Sequence, residues 1–552
     1  AGEQRLCDYR VSFPCSVCQQ EIHLTRSFFH KKQHRALATL GLEWMGKKKP
    51  RSFEIAAQRQ LIVSRLLSFL MFSERTLQKI NYAYEVLWKK QKPVYYKILD
   101  NLDGTSTYLP KVSHLLIKGI ATSGNRNSTW KVDMNDKFTI VNDFGNKPNV
   151  CFFGLFDGHR GDTAADMASK ELPVLFLHQL TRCDPSYQMT AKEQHMINSF
   201  HIMFQEEYTS KEDAFFSTPK IKKNQGHKFE DIHKAFAKAY WRMDRLLELG
   251  RNEVSRVRWS GCSVVTCMLE GSIKNHGGTE TNSLGSQRFA FHNKPWEVSG
   301  VLHVANTGDV QVVLCRNGKS FCLTKEHTTR NVNERKRVLE NGVTISSDEP
   351  TGFLEGYIKT TRGLGFHGDP TLKKSVIPAP STISVPIDNL CQFLILATNG
   401  LWEVFEVKEV TALAMTLFQT YKENVLLSGG GPQDGTQIHV LFQYKPESKE
   451  CRSMTQFMKN SRHSEYCFYY PKNTETSPSK RAHSEPSSEK EPNIPTSTDG
   501  VQEPRDSSFY EGAAEYVSRE LVTAALEAGS RDNITVTVIF LSGTEYQQLT
   551  QN

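Results

Sequence analysis

The stretch Cys151-Phe-Phe-Gly-Leu-Phe-Asp157-Gly158-His159-Arg160-Gly161 constrains this chain more than any other. Five of its first six residues are apolar or aromatic and the other is Gly154, which is how a strand buried on both faces reads. The run stops abruptly at Asp-Gly-His. A carboxylate at the mouth of a buried strand is costly unless a cation or a metal ion compensates its charge. Gly158 and Gly161 let the backbone turn sharply, and they let a carbonyl point where a side chain would obstruct it. Other Asp-bearing strand ends follow, at Asn306-Thr-Gly-Asp309 and around Asp532.

At 552 residues the chain has room for two or three domains. An apolar content of 38% predicts that part of it never packs. The 12 cysteines have no framework spacing, and Cys262, Cys267, Cys315, Cys322 and Cys391 sit in apolar runs. They read as reduced core thiols of an intracellular protein, cytoplasmic or nuclear. No apolar run approaches a membrane span, since Leu66–Phe72 is too short, and the start carries no signal-peptide pattern. The net charge of +8 is uneven: residues 1–100 hold 18 Lys/Arg against 8 Asp/Glu, the remainder 50 against 52. The basic character therefore belongs to the N-terminal fifth.

In that fifth, Cys15-x2-Cys18-x11-His30-x3-His34 puts two thiols on a tight turn and two imidazoles one helical turn apart. Tetrahedral Zn²⁺ needs that arrangement. Phe13, Ile22 and Phe28 are available as a small core around it. The segment, taken as residues 1–38, resembles a C2H2 zinc finger with a central gap of 11 where 12 is usual. Four protein ligands imply a structural metal. One finger rarely holds DNA alone, and Lys47-Lys-Lys-Pro-Arg51 reads as a solvated linker, so nucleic acid is not expected as a partner. Residues 39–111 form a basic helical extension. Ile55, Ile62, Leu66, Phe69 and Leu77 recur at helical spacing until Pro93 ends the run.

From residue 112 to 545 the pattern turns to short strands and long helices in separate runs, which predicts an α+β layered domain. The Asp157 strand is followed by a helix over 162–180 that Pro173 is expected to bend or break. Another amphipathic helix covers 229–250. Strands are predicted at 262–269, 301–305, 393–397 and 534–541, with a hairpin of 312–314 and 321–323 across Arg316-Asn-Gly-Lys319. A last helix spans 511–528. The Gly/Ser/Asn-rich residues 271–297 read as a loop insertion and 428–508 as a larger disordered one. Within the latter, Arg481-Ala-His-Ser484-Glu-Pro486 has the form of a phosphoserine site for 14-3-3-type recognition.

Six motifs occur in order: Trp130-Lys-Val-Asp-Met-Asn-Asp136, Phe156-Asp-Gly-His159, Ala305-Asn-Thr-Gly-Asp309, Thr360-Thr-Arg-Gly-Leu-Gly365, Leu396-Ala-Thr-Asn-Gly-Leu-Trp-Glu403 and Arg531-Asp-Asn-Ile-Thr-Val536. This set resembles that of the metal-dependent PP2C-type protein Ser/Thr phosphatases. The resemblance implies an αββα sandwich of two antiparallel sheets flanked by helices, with a Mn²⁺ or Mg²⁺ pair between the sheets. It implies that Asp157 bridges the metals, that the Gly158 carbonyl holds the second, and that the positions of Asn399 and Asp532 hold the first. Asp136 and the preceding Asn135 would bind through waters. His159 stands where the family keeps a general acid, and Lys131 where it keeps an Arg that clamps phosphate.

Several positions depart from the family pattern. Asn399 stands for Asp, Asn135 for Glu, Lys131 for Arg and Glu403 for Asp, and Arg160 replaces a small residue. Each lost carboxylate makes a pair of dications harder to hold together. Lys131 keeps a charge without bidentate geometry, and Arg160 adds a cation at the rim, either as a substitute clamp or in competition with a metal. The expected function is a pseudophosphatase that binds protein partners or phosphoproteins. The alternative is a weakly active phosphatase running on Asp157, Gly158, Asp532 and Asp136. Asp309 reads either as an acidic position near a third metal or as a turn cap, His327 as a surface or structural histidine, and Arg362 as a tie between strands.

Overall fold

The structure is a computed structural model that describes residues 12–44, 48–68, 74–89, 104–201, 205–216, 229–249, 255–274, 297–346, 352–426, 462–465 and 506–543. The N-terminal unit opens with β1 (Ser12–Pro14) and β2 (Glu21–His23), a small antiparallel pair, followed by α1 (Leu24–Thr39). Two more helices follow, α2 (Ser52–Ser68) and α3 (Glu74–Lys89). The helical pattern that begins near Phe53 and ends before Pro93 is thus a helical pair. Phe13 and Ile22 are buried and Phe28 is half-buried. Lys49 donates to Gln33 Oε1 at 3.1 Å, and Arg51 pairs with Glu54 at 3.0 Å. Lys49 is thus tied to α1, while Arg51 stays exposed to solvent, as a solvated linker would have it.

The large domain begins with β3 (Ser106–Tyr108), β4 (Ile117–Asn125), β5 (Lys137–Val141), β6 (Val150–His159) and α4 (Thr163–Cys183). Helices α5 (Ala191–Ser199), α6 (Glu206–Phe216), α7 (Glu230–Leu249) and α8 (Ser255–Trp259) come next. Then follow β7 (Gly261–Lys274), β8 (Glu297–Thr307), β9 (Gln311–Arg316), β10 (Lys319–Cys322), α9 (Val332–Glu340), β11 (Leu364–Gly365) and α10 (Pro370–Lys373). The last part holds β12 (Ser381–Ile387), β13 (Cys391–Ala397), α11 (Asn399–Trp402), α12 (Val407–Leu426), β14 (Arg462–Glu465), α13 (Asp506–Glu527) and β15 (Ile534–Leu541).

Two sheets form from these strands. One is six-stranded in the order β10-β9-β13-β15-β4-β3; the other is seven-stranded, β14-β12-β8-β7-β6-β5 with β11 beside β7. Every pairing between named strands is antiparallel. The period of two along β6 sorts its side chains into layers. Phe152 and Phe156 pack with α4 and α7, while Cys151, Phe153 and Leu155 pack with Leu314, Leu394 and Ile539 of the opposite sheet. The far face of the six-stranded sheet, including Ile395, Val536 and Val538, is covered by α12 and α13. The result is the αββα sandwich.

Four expectations are corrected. Helix α4 runs unbroken through Pro173. Pro173 cannot donate to the Ser169 carbonyl, and Thr139 Oγ1 from β5 supplies that donor instead at 2.5 Å. Strands β7 and β8 take in residues 271–274 and 297, so the insertion between them is shorter than the residue composition suggested. Arg462–Glu465, placed in the disordered insertion, pairs with β12, and α13 already starts at Asp506. Ser106–Tyr108, placed in the extension, belongs to the six-stranded sheet. Ser484 lies outside the described residues. The cysteines among the described residues are all free; Cys322 is exposed because it faces out of β10 beside the buried Phe321. No helix among the described residues is long and apolar enough to cross a membrane.

Candidate functional site

Parity along the strands builds the site. Asp157 continues the series Cys151, Phe153, Leu155 and so falls on the inter-sheet face at the end of β6, opposite Ser263 of β7. On β15, Ile534, Val536 and Val538 face the helices, which turns Thr535 inward. Thr398, just past β13, is turned inward by the same rule. Both hydroxyls donate to Asp136 Oδ2 at 2.8 Å, so Asp136, from the other sheet, is fixed between them. Its Oδ1 is buried without a partner, as are Asn135 Oδ1 and Asp309 Oδ1. Buried acceptors left without a donor are the kind of oxygen that a cation would satisfy.

The charges are arranged accordingly. Burial pushes Asp136 up to about 7. Asp157 is raised well above the carboxylate range by burial and then by Asp136, Asp532 and Asp309. Asp309 is raised by burial too. His159, lowered by burial, has Nε2 at 3.2 Å from Ser263 Oγ and Nδ1 at 3.7 Å from Asp157 Oδ1. Asp157, His159 and Asp309 offer ligand atoms within 4.8 Å of one another, so Asp309 joins the acidic group rather than serving only as a turn cap.

Gly158 is required by close approach: a Cβ there would meet the Asn135 carbonyl oxygen at 2.6 Å and its Cβ at 3.1 Å. The loop over 126–136 is pinned against the opposite sheet by Asn533. Asn533 accepts from the Asn135 N–H at 2.9 Å and donates to the carbonyls of Arg126 at 2.7 Å and Asp133 at 3.0 Å. Asn399 is the first residue of α11, and its backbone N–H lies 3.4 Å from Asp157 Oδ2. Lys131 reaches Asp532, with Nζ 2.7 Å from Oδ1. Burial works against its ammonium, but the Asp532 carboxylate holds the Lys131 pKa above its ordinary value.

The remaining candidates are structural or engaged elsewhere. Arg160, at φ +57°, lies 3.8 Å from Asp369 and stacks 4.7 Å over Tyr357. Glu403 Oε1 accepts from Ser530 Oγ at 2.8 Å and from the Arg531 N–H at 2.6 Å, capping the turn before β15. His327 is the structural histidine of the two readings, buried, accepting from the Gly308 N–H at 3.1 Å and meeting Ser381 Oγ at 2.8 Å. Arg362 binds Glu334 of α9 at 2.5 Å and the Ala379 carbonyl at 3.1 Å. In the N-terminal unit, Cys15, Cys18, His30 and His34 come together with ligand atoms within 4.8 Å. Thr398, Thr535 and Asn533 are the site residues that sequence reasoning missed; the alternation along β15 is the signal that could have found Thr535.

A family model described as protein phosphatase 2C matches residues 277–425. The chain is 58% identical to the protein phosphatase 2C-like domain-containing protein 1 of Homo sapiens, over 99% of this chain and 92% of that protein. With the Mus musculus protein of the same name, identity is 54%, over 99% and 91%. Against protein phosphatase 2C homolog 1 of Saccharomyces cerevisiae it is 24%, over 60% and 94%. Among solved structures, a Caenorhabditis elegans sex determining protein matches at a TM-score of 0.43 and 14% identity, over 96% and 91%. With the six motifs carried on an αββα sandwich and relatives at this identity over 99% of its length, the chain belongs to the protein phosphatase 2C family.

Proposed function

We propose that this chain is a degenerate member of its family, an intracellular pseudophosphatase that acts by binding protein partners or phosphoproteins. The observation that carries the reading is the Lys131–Asp532 pair at 2.7 Å, in a cleft where Asn399 and Asn135 offer only neutral oxygens. A Mn²⁺ or Mg²⁺ pair would supply neutralisation of a phosphate dianion and a water activated at neutral pH. The donors present fit one such ion better than two. Asp157, the Gly158 carbonyl and Asp136, with Asp309 close by, would hold it, and the orphaned Asp136 Oδ1 supports this. For the other ion, Asn399 contributes no charge and Asp532 is already bound by a cation of the chain. Two divalent ions a few Å apart repel strongly, and each missing carboxylate weakens double occupancy.

The grouping of Asp157, His159 and Asp309 favours one alternative, a weakly active phosphatase. There His159, held by Ser263, would hand a proton to the leaving alkoxide. Hydrolysis of a phosphoserine peptide by the whole chain with Mn²⁺, beside an Asp157→Ala control, separates the two. Equal rates support the pseudophosphatase; a metal-dependent rate that disappears in the control supports the enzyme.

A further inference from the structure

The N-terminal unit carries a second metal geometry, far in sequence from the cleft motifs. Cys15 and Cys18 lie on the turn between β1 and β2, and His30 and His34 on successive turns of α1. Cys18 Sγ is 3.3 Å from His30 Nε2, Cys15 Sγ is 3.6 Å from His34 Nε2, and the two Nε2 atoms are 3.0 Å apart. A tetrahedral zinc with Zn–S of about 2.3 Å and Zn–N of about 2.0 Å sets S···N edges of about 3.5 Å and N···N edges of about 3.3 Å. The Val17 N–H donates to Cys15 Sγ at 3.4 Å. The Trp44 ring lies 5.0 Å from that of His30 and 4.9 Å from that of His34, covering the pair.

The unit is fastened to the sandwich. Lys31 Nζ of α1 lies 2.6 Å from Glu409 Oε2 at the start of α12, and the other oxygen of this buried carboxylate accepts from the Ser16 N–H at 3.4 Å. Phe13 meets Phe405 edge-on at 5.7 Å. Apolar residues of β1, α1, α2 and α3 belong to the same continuous core as α12 and α13. Three basic side chains of the unit are engaged internally as well: Lys31 by Glu409, Lys32 over Phe28 and Lys49 over Trp44.

One side chain connects this unit to the cleft. The Arg531 guanidinium lies 5.4 Å from the ring of Phe28, two residues before His30, and 4.9 Å from the ring of Trp130. The neighbours of these residues, Lys131 and Asp532, are the ion pair described above.

We propose that Cys15, Cys18, His30 and His34 hold one Zn²⁺, and that the metal-fastened unit is an internal brace that sets the Asn127–Lys131 turn at the cleft rim through Phe28, Arg531 and Trp130. Two thiolates and two imidazoles suit zinc, and four protein donors leave no open position, so the ion is structural. The proposal does not depend on whether the cleft turns over substrate.

The test uses the full chain. Atomic emission should find one zinc per chain, lost in Cys18→Ser, and cobalt(II) exchanged into the site should give the visible absorption of a tetrahedral thiolate complex. Hydrogen exchange then reads the rim at the amides of Trp130 and Lys131, which both donate to the Asn127 carbonyl. Chelation of the wild-type chain should speed exchange there by about fivefold, the size expected for losing cation–π contacts. Phe28→Ala should do the same with zinc still bound. A chain that takes up no zinc overturns the proposal. So does one whose rim amides are unchanged both on chelation and in zinc-loaded Phe28→Ala.

Discussion

Lys131 Nζ sits 2.7 Å from Asp532 Oδ1, with the lysine side chain 38% and the aspartate 26% exposed. The ammonium thus occupies a carboxylate that would otherwise face a divalent ion. A pair this exposed adds little to stability, so its consequence falls on metal binding. Lys131→Met should raise Mn²⁺ affinity by about tenfold, within the range typical of changes around metal ligands. Asn399→Asp, which restores a full charge, should do at least as much. In the double variant the two gains should be coupled rather than simply additive, since the new carboxylate at position 399 and the freed Asp532 would act on the same ion. Calorimetric titration reads all three. Affinities indistinguishable from wild type would remove the argument that missing anionic oxygens limit the cleft.

Gly158 makes the second prediction. A methyl group there would sit 2.6 Å from the Asn135 carbonyl oxygen, and backbone cannot yield as a long side chain can. Gly158→Ala should cost about 1–3 kcal/mol, as overpacking does, and should detach the 126–136 loop from β6. Urea denaturation measures the first effect and proteolysis at that loop the second. An unchanged midpoint would show that the approach is looser than the structure has it.

Much of this architecture was legible because its signals are local. The β6 run had nothing polar before Asp157, and the Cys and His spacings of the N-terminal unit were complete in the sequence. What was missed depends on partners distant in the chain. Edge strands β3 and β14 have no apolar run to announce them, because an edge needs backbone pairing more than burial. Lys131 reads from sequence as a clamp position that keeps its charge without bidentate geometry, since nothing local indicates that Asp532 lies beside it. Arg362 was read as a tie between strands, and its main partner, Glu334, lies on α9.

His327 gives the pH dependence. Burial lowers its pKa to about 3, against an ordinary 6.5, so the folded state holds it neutral. As pH falls below about 6.5 the unfolded chain binds a proton there and the native chain does not. Stability is therefore lost between about 6.5 and 3, and is fully present above that window. At pH 5 the loss should be about 1–2 kcal/mol relative to pH 8. His327→Gln should show a flatter dependence over the same interval. Parallel pH curves for the two proteins would mean that the imidazole does not titrate on unfolding.

The continuity of α4 through Pro173 rests on a borrowed donor. Pro173 has no N–H for the Ser169 carbonyl, and Thr139 Oγ1 from β5 fills that acceptor at 2.5 Å. Thr139→Val keeps the shape and strand propensity of the residue but removes the hydroxyl, leaving a carbonyl in the helix without its donor. That should cost about 1–3 kcal/mol. Thr139→Ser, which keeps the hydroxyl and loses a methyl group, should cost less. The difference separates the hydrogen bond from packing of β5 on the helix. If Ser proves as damaging as Val, the helix tolerates Pro173 through the apolar residues around it, and the hydroxyl is incidental.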